Sequence, residues 1–303
     1  MTDTADSMLG APGTASTARS LRNYFLLTKP RVIELLLVTT LPAMILAEGG
    51  LPSVGLMTAV LLGGAMAAGG ANTINCYLER DRDTLMRRTH GRPLPSGTVE
   101  PTRALVFGLV LETLAFAWLW ATTNLLSASL AVSATLFYVF VYTIWLKPRS
   151  PQNIVIGGAA GAVPALVGWA AVTGSLATPA WILFAVVFFW TPPHFWALAL
   201  RYKEDYAAAG IPMLPVVKGI DVATRDILIY SVVVVAVSLT LGLTTPVGPI
   251  YVGSAVLLGI AFVIQAVRLR RDPAPASAIR LFTFSNTYLA LLFAAVALDT
   301  FVR

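Results

Sequence analysis

Two stretches of the sequence place polar side chains at helical spacing within apolar surroundings. In the first, Asn75, Glu79 and Asp83 stand four residues apart, so they share one face of a helix. Asp81 lies two residues from its acidic neighbours and is expected to point elsewhere. Carboxylate and amide oxygens in a row suit a hard cation such as Mg²⁺, which commonly bridges a protein carboxylate to substrate phosphates. The row therefore predicts a magnesium site, with a solvated helix end as the simpler alternative.

The second stretch carries His194, Arg201 and Asp205, whose spacing of seven and four residues predicts one further helical face. Pro192 and Pro193 are expected to bend this helix or open its backbone just before His194. Ionisable groups inside a membrane usually serve function, although a single buried histidine is often only a hydrogen-bonded part of the core. We favour a functional role for His194 and keep the structural role as the alternative.

Several basic residues accompany these acidic stretches and could neutralise phosphate oxygens. Arginine suits phosphate through its planar donor fork, and lysine serves as a point charge. Membrane topology alone explains each of them equally well, but their coincidence with the acidic row favours a combined metal and diphosphate site. The candidates are Arg88, Arg92, Lys147 and Arg201.

Composition indicates how these residues are positioned. The 303-residue chain is 57% hydrophobic and only 12% charged, against roughly 25% charged in a typical soluble domain. Apolar stretches long enough to cross a bilayer, about 20 residues each, alternate with short charged loops. These features predict an all-α polytopic membrane protein with about nine transmembrane helices around a central cavity. The predicted spans are 32–48, 54–77, 103–122, 124–145, 153–174, 178–200, 226–246, 249–268 and 280–301.

The distribution of basic residues predicts the orientation of the chain. With the N-terminus inside, 20 of the 21 Lys and Arg residues fall on the inner side, leaving only Arg303 outside, as the positive-inside rule requires. The protein is therefore expected to be a multi-pass protein of the cell (plasma) membrane, with its N-terminus cytoplasmic and its C-terminus outside. The net charge of +6 is then a topology signal, so no nucleic-acid partner is expected.

The ends of the chain and its single cysteine set further limits. Residues 1–22 are predicted to form a flexible cytoplasmic tail, and residues 23–303 one intramembrane domain. Cys76 has no second cysteine with which to form a disulfide, and a cysteine-based metal site is not expected. Glu112 falls in the middle of the third predicted span, where no role is assigned to it.

The second and sixth predicted spans resemble each other in position and in the loops after them. Both spans run from outside to inside, and both lead into a loop rich in Gly and Pro, at residues 91–95 and 210–215. This pattern suggests a weak internal repeat of the kind from which membrane proteins build a central site. The two polar helix ends are therefore expected to face each other across one cavity.

The motif at residues 75–83 resembles the first polar motif of the intramembrane aromatic prenyltransferases. Three further stretches strengthen the likeness and narrow it to the haem-modifying branch of that family: residues 88–95 (Arg-Thr-x-x-Arg-Pro-Leu-Pro), residues 151–161, and the segments 194–199, 205–206 and 209–215. The likeness runs from about residue 27 to residue 301. In the second motif the chain departs from quinone-type relatives, since it has His194, Arg201 and Asp205 where they have several aspartates. The number of magnesium ions is therefore left open.

The resemblance implies a reaction and a role for each candidate residue. It implies Mg²⁺, farnesyl diphosphate as donor and haem B as acceptor, with a vinyl group attacking the allylic cation and water completing haem O. The implied metal ligands are Asn75, Glu79, Asp83 and Asp205. The implied diphosphate-binding residues are Arg88, Arg92, Lys147 and Arg201. The implied catalytic residues are Arg201 and the four metal ligands. The expected haem-binding residues are His194 and, more weakly, His90.

Other functions compete with this interpretation. The nearest is a prenyltransferase that acts on a quinone or chlorin precursor. The presence of His194 in place of an aspartate argues against this alternative. A secondary transporter would need charged groups on both membrane faces, whereas the predicted outer loops carry no Lys or Arg. A purely structural membrane subunit would not need the aligned acidic helix ends. Besides the lipid bilayer, the expected partners are haem A synthase or a terminal oxidase assembly.

Overall fold

The computed structural model describes residues 13–303, except for the side chains of residues 13–18, 31, 32 and 35–37. Within this range the chain is all-α and contains no β-strand. Helix α1, Gly13–Leu27, includes residues 13–22 of the predicted tail. Residues 1–12 of the tail lie outside the described range, and the domain boundary at residue 22 stays a prediction.

Eight of the remaining helices are long and apolar enough to cross a membrane. The first predicted span, 32–48, corresponds to α2, a helix of 19 residues whose described apolar part is Val38–Glu48. Short helices α8 and α9 connect α7 to α10. The helices after α1 are α2 Pro30–Glu48, α3 Val54–Asp83, α4 Pro101–Thr122, α5 Leu125–Leu136 with a π-helical continuation Phe137–Leu146, α6 Asn153–Thr173, α7 Thr178–Arg201, α8 Lys203–Ala208, α9 Leu214–Val217, α10 Gly219–Thr244, α11 Pro249–Arg271 and α12 Pro275–Val302.

Local sequence explains where the helices begin and end. Proline occupies the first turn of α2, α4, α7, α11 and α12, where its missing N–H costs no helical hydrogen bond. Ser53 and Asn124 cap α3 and α5 by accepting hydrogen bonds from the backbone N–H groups of Leu56 and Ser127. Gly49 ends α2 in the left-handed conformation, at a φ of 69°, which glycine adopts without a side-chain clash.

Four helices extend beyond the predicted spans by three residues or more, all on the predicted inner side. Helix α3 continues to Asp83, and α11 continues to Arg271. Helices α10 and α12 begin earlier than predicted, at Gly219 and Pro275. Hydropathy detects the apolar part of a helix only, so charged turns that project beyond it are missed. The extension of α3 is functionally important because it carries Glu79 and Asp83.

The membrane helices pack in a closed ring. Within the described chain, α2 packs against α3, each following membrane helix packs against the next, and α12 returns to α2. Helices α3 and α4 approach closely at Gly70 and Gly108, because a Cβ on Gly70 would lie only 2.8 Å from the backbone oxygen of Gly108. Inside the ring, α3 also contacts the π-helical segment and α6. These inner contacts surround the polar end of α3.

Candidate active site

The polar row at the end of α3 is buried along one face, as its spacing predicts. Asn75, Glu79 and Asp83 are each no more than 4% exposed. The side chain of Asp81 is 86% exposed and pairs only with the neighbouring Arg80. The helical-face prediction is therefore confirmed, and the alternative of a solvated helix end is wrong for these three residues.

A cationic side chain contacts each member of this row. Lys147 forms an ion pair with Glu79, and the Arg92 guanidinium donates to Asp83 Oδ2 at 2.8 Å. The Lys29 ammonium donates to Asn75 Oδ1 at 2.7 Å. Arg92 and Lys147 were predicted at this site, but Lys29 was not. The signal that could have found Lys29 is its position next to Pro30, at the predicted inner end of the first span.

The π-helical segment positions Lys147. The backbone N–H of Lys147 donates to the carbonyl of Tyr142 at 2.8 Å, a hydrogen bond that spans five residues instead of four. Thr143, four residues before Lys147, accepts a hydrogen bond from Asn75 Nδ2 at 3.1 Å. Helical widening of this kind is rare and occurs frequently at functional sites. The fourth span therefore presents two polar contacts, one turn apart, to the row on α3.

Electrostatics differ among the three cations. Burial disfavours charge on Arg92 and Lys147, but the carboxylates of Asp83 and Glu79 outweigh it and raise the pKa of both groups. Burial lowers the pKa of Lys29, and the nearby charges of Arg92 and Lys147 lower it further, against a partial offset from Cys76 and Glu79. Lys29 therefore lacks the compensating carboxylate that its two neighbours have.

The second predicted stretch does not form a single helical face. Helix α7 runs through Pro192 and Pro193 without opening and ends at Arg201. Tyr202 then leaves helical geometry, at φ −112° and ψ 30°, so Asp205 belongs to the separate helix α8. The alignment of His194, Arg201 and Asp205 is therefore wrong, because a non-helical residue resets the periodicity between the last two.

Arg201 and Asp205 lie outside the paired cluster on α3. The exposed Arg201 places its guanidinium 5.6 Å from the centre of the Tyr202 ring. Asp205 is half-buried, and its carboxylate has no hydrogen-bond or ion-pair partner among residues 13–303 whose side chains are described. Their roles at the metal and the diphosphate stay predictions.

His194 is held in an aromatic environment between α7 and α12. Its ring stacks on Trp190 and Phe282, with centroid distances of 4.2 and 4.4 Å. The Ser285 hydroxyl lies 2.7 Å from Nδ1 and donates to the Phe282 carbonyl. Because that hydroxyl has only one hydrogen, Nδ1 of His194 must carry the proton that it shares with Ser285. This tautomer leaves Nε2 as the nitrogen with a free lone pair.

The two predicted motifs meet through Arg88. Its guanidinium donates to the Tyr206 hydroxyl at 2.8 Å and lies over the rings of Tyr202 and Tyr206. The loop after α3 therefore contacts α8 beside Asp205. His90 lies in the same loop and is exposed, and its imidazole has no polar partner in the described part of the chain.

The residues of the row fit a magnesium ion. Asp83 Oδ1 is buried and accepts no hydrogen bond from any described residue, and such an atom usually has an ion or water as its partner. No group of three His, Cys, Asp or Glu side chains among the described residues could hold a metal alone. Two carboxylates and an amide would suit Mg²⁺, which normally takes its other ligands from water and substrate phosphates.

Glu112 has a packing role. Its carboxylate accepts a hydrogen bond from Thr135 at 3.0 Å, which ties α4 to α5. The same side chain lies against Gly70 of α3, where a Cβ would come within 2.8 Å of its Oε1. The carboxylate in the middle of the third span is therefore satisfied at a helix interface.

These features are those of an intramembrane prenyltransferase, and comparison with known proteins identifies the family. The model of the UbiA prenyltransferase family matches residues 36–293. The chain belongs to this family.

Its relatives point to one branch. A protein of Salinispora tropica named Protoheme IX farnesyltransferase is 53% identical over 298 residues, which cover 97% of this chain and 93% of the relative. A protein of Mycolicibacterium smegmatis with the same name is 52% identical and covers 94% of each chain. The chain is thus similar to Protoheme IX farnesyltransferases over nearly its full length.

Solved structures share the fold at low sequence identity. Digeranylgeranylglyceryl phosphate synthase aligns with a TM-score of 0.77 and 18% identity, over 94% of this chain and 100% of that one. A UbiA homolog from Archaeoglobus fulgidus, bound to DMAPP and Mg²⁺, aligns with a TM-score of 0.65 and 20% identity, over 91% and 99%. The helical bundle is therefore the UbiA fold.

Proposed function

We propose that this protein transfers the farnesyl group of farnesyl diphosphate to a vinyl group of haem B. One water is added, and the products are haem O and diphosphate. The observation that carries the proposal is the buried row on α3, in which two carboxylates each pair with a cation. The row lies in a chain more than half identical to Protoheme IX farnesyltransferases.

The chemistry follows from the charge that develops when the donor ionises. Breaking the bond between the farnesyl carbon and the diphosphate oxygen concentrates negative charge on the leaving group, so fixed cations accelerate this step. Arg92 and Lys147 are already oriented by their carboxylate partners, and Arg88 is oriented by Tyr206. We assign these three residues to the diphosphate, and Arg201 to its outer edge.

The metal would rest on Asn75, Glu79 and Asp83, with Asp205 supplying a ligand from the other half of the bundle. When bound, Mg²⁺ supplies Lewis-acid neutralisation of the leaving diphosphate. The UbiA homolog from Archaeoglobus fulgidus binds DMAPP together with Mg²⁺, which supports a metal in this chain. The apolar interior of the bundle would delay capture of the allylic cation by water.

The acceptor is the part of the proposal that rests on the relatives and on His194. The hydrogen bond from Nδ1 to Ser285 leaves Nε2 of His194 as the free nitrogen, the form that binds iron. We therefore assign His194 to haem binding, as an iron ligand or as a contact that orients the porphyrin. His90, exposed in the loop after α3, is the second candidate. Haem O formed here would pass to haem A synthase or to a terminal oxidase assembly.

We also propose that the protein lies in the cell membrane with its N-terminus cytoplasmic and its C-terminus outside. The support is the clustering of basic residues at one side of the bundle. Labelling of a cysteine introduced at Arg303 in intact cells tests the orientation, since the natural Cys76 is buried. Labelling by a membrane-impermeant reagent supports it, and protection until lysis contradicts it.

The reaction itself is tested by the release of diphosphate from farnesyl diphosphate. We expect purified protein in detergent to release diphosphate only when haem B and Mg²⁺ are both present, and to stop when the metal is chelated. Restoring free Mg²⁺ should restore the rate, because the carboxylates of the row are intact. Turnover that persists in strong chelator would reject the metal, and release driven by a hydroxybenzoate but not by haem would reject the acceptor.

A further inference from the structure

Lys29 joins α1 to α2 in a backbone conformation that lysine rarely adopts. Its φ of 53° and ψ of 63° are left-handed, and it is the single non-glycine residue with positive φ among those described. Such a conformation costs free energy and persists only where the surrounding structure enforces it, typically at functional sites. The strain therefore raises the questions of what holds Lys29 and what it does.

Two asparagines of α3 hold the turn. Asn72 Nδ2 donates to the Thr28 carbonyl at 3.0 Å, and the Lys29 backbone N–H donates to the Leu26 carbonyl at 3.2 Å. Nearly one turn of α3 further on, Asn75 Oδ1 accepts from the Lys29 ammonium. The backbone and the side chain of this turn are thus fixed to the helix that carries the acidic row.

Lys29 differs from the other two cations in its partner. Arg92 and Lys147 face carboxylates, whereas Lys29 faces a neutral amide and has no ion-pair partner in the described part of the chain. A buried ammonium without a counter-charge is unfavourable. The missing partner is therefore an anion, and no described residue supplies it.

We propose that Lys29 is a further diphosphate-binding residue, and that it occupies Asn75 Oδ1 until metal and diphosphate arrive together. In the structure each residue of the row is engaged by one cation. If Asn75, Glu79 and Asp83 bound a metal alone, three partly buried cations would lose their partners. If the cations turned to a diphosphate alone, two buried carboxylates would lose theirs.

The exchange is favourable only when both ligands bind. The oxygens of the row would then bind Mg²⁺. The released side chains of Lys29, Arg92 and Lys147 would donate hydrogen bonds to the diphosphate. Metal and diphosphate must therefore strengthen each other's binding by the same factor, since coupling between two sites is reciprocal. The inference rests on the metal and diphosphate parts of the proposed function and is independent of the acceptor.

The test measures binding of Mg²⁺ and of inorganic pyrophosphate to the full chain in detergent by calorimetry, with no acceptor present. We expect free Mg²⁺ to tighten pyrophosphate binding by about tenfold or more in the natural protein. Lys29→Met should bind Mg²⁺ alone about threefold more tightly, because Asn75 is free and one cation is gone. The same variant should bind pyrophosphate in Mg²⁺ about tenfold more weakly, because one charge-assisted contact is lost.

Two further variants keep the result interpretable. Lys29→Gln retains a hydrogen-bond donor for Asn75 without the charge, so it should weaken pyrophosphate binding and tighten Mg²⁺ binding less than Lys29→Met does. Lys218→Met removes an exposed lysine and should change neither. Melting curves by circular dichroism establish that each variant is folded.

Two outcomes would overturn the inference. The first is Lys29→Met behaving like Lys218→Met towards both ligands. The second is weaker pyrophosphate binding by Lys29→Met with unchanged affinity for Mg²⁺ alone, which would make Lys29 an anion contact that does not compete with the metal. Loss of haem prenylation with intact coupling would instead count against the acceptor assignment only.

Discussion

Asp83→Asn is expected to reduce turnover by about a thousandfold or more while leaving the bundle folded. The substitution removes a negative charge that would hold Mg²⁺ and leaves Arg92 without its carboxylate partner. Both changes weaken stabilisation of the leaving diphosphate, where loss of a single preorganised group typically costs about a hundredfold to a thousandfold. The measurement is the initial rate of diphosphate release at saturating donor and Mg²⁺.

Asp81→Asn supplies the matched control. It makes the same chemical change two residues away, on a side chain that is 86% exposed. We expect its turnover to stay within about threefold of the natural protein, since exposed pairs contribute little. Equal losses at Asp81 and Asp83 would contradict the assignment of the buried face as the site.

Lys147→Met is expected to damage both stability and turnover. The Lys147 and Glu79 side chains are only 12% and 6% exposed, so the substitution leaves a buried carboxylate without its partner. Breaking such a pair typically costs about 3 kcal/mol or more of unfolding free energy. Turnover should fall by about a hundredfold or more, because a cation that would meet the diphosphate is also lost.

The two effects can be separated by a second substitution. Lys147→Met combined with Glu79→Gln should recover much of the stability, measured by denaturant unfolding in detergent, but none of the turnover. Arg149→Met is the control, because Arg149 is exposed and donates only to carbonyls of the preceding turn. Full recovery of turnover in the double variant would show that Lys147 only stabilises the fold.

The parts of the structure that were predictable from sequence are those set by local periodicity. Apolar length located the membrane spans, and four-residue spacing placed Asn75, Glu79 and Asp83 on a single buried face. Arg92 and Lys147 were identified because a diphosphate site needs cations near such a row. Each of these inferences depends on residues close together in sequence or on a property of the whole chain.

The parts that were missed depend on contacts between distant segments. Lys29 contacts Asn75 across 46 positions and needs a left-handed backbone that no spacing rule predicts. The π-helical turn before Lys147 has a normal helical pattern in sequence. Tyr202 leaves helical geometry, although the sequence around it continues a helical pattern of residue types as far as Asp205. Tertiary packing overrides local preference at all three places.

His194 shows how one residue supports two interpretations. The position of His194 deep in a membrane span indicated a functional role. In the structure, its ring contacts Trp190, Phe282 and Ser285. The same contacts that would make it a core residue also fix its ring and leave Nε2 as the acceptor nitrogen. Sequence spacing could place His194 on α7 but could not reveal its partner 91 positions away.

The measurement that tests the proposed function most directly is the mass of the haem product. Purified protein is incubated in detergent with haem B, farnesyl diphosphate and Mg²⁺, and the extracted haem is analysed by mass spectrometry. We predict a gain of one farnesyl group plus one water, which fixes donor, acceptor and reaction class together. Unchanged haem B, with prenylation of a hydroxybenzoate or naphthoate under the same conditions, would contradict the haem assignment and place the enzyme among the quinone-type prenyltransferases.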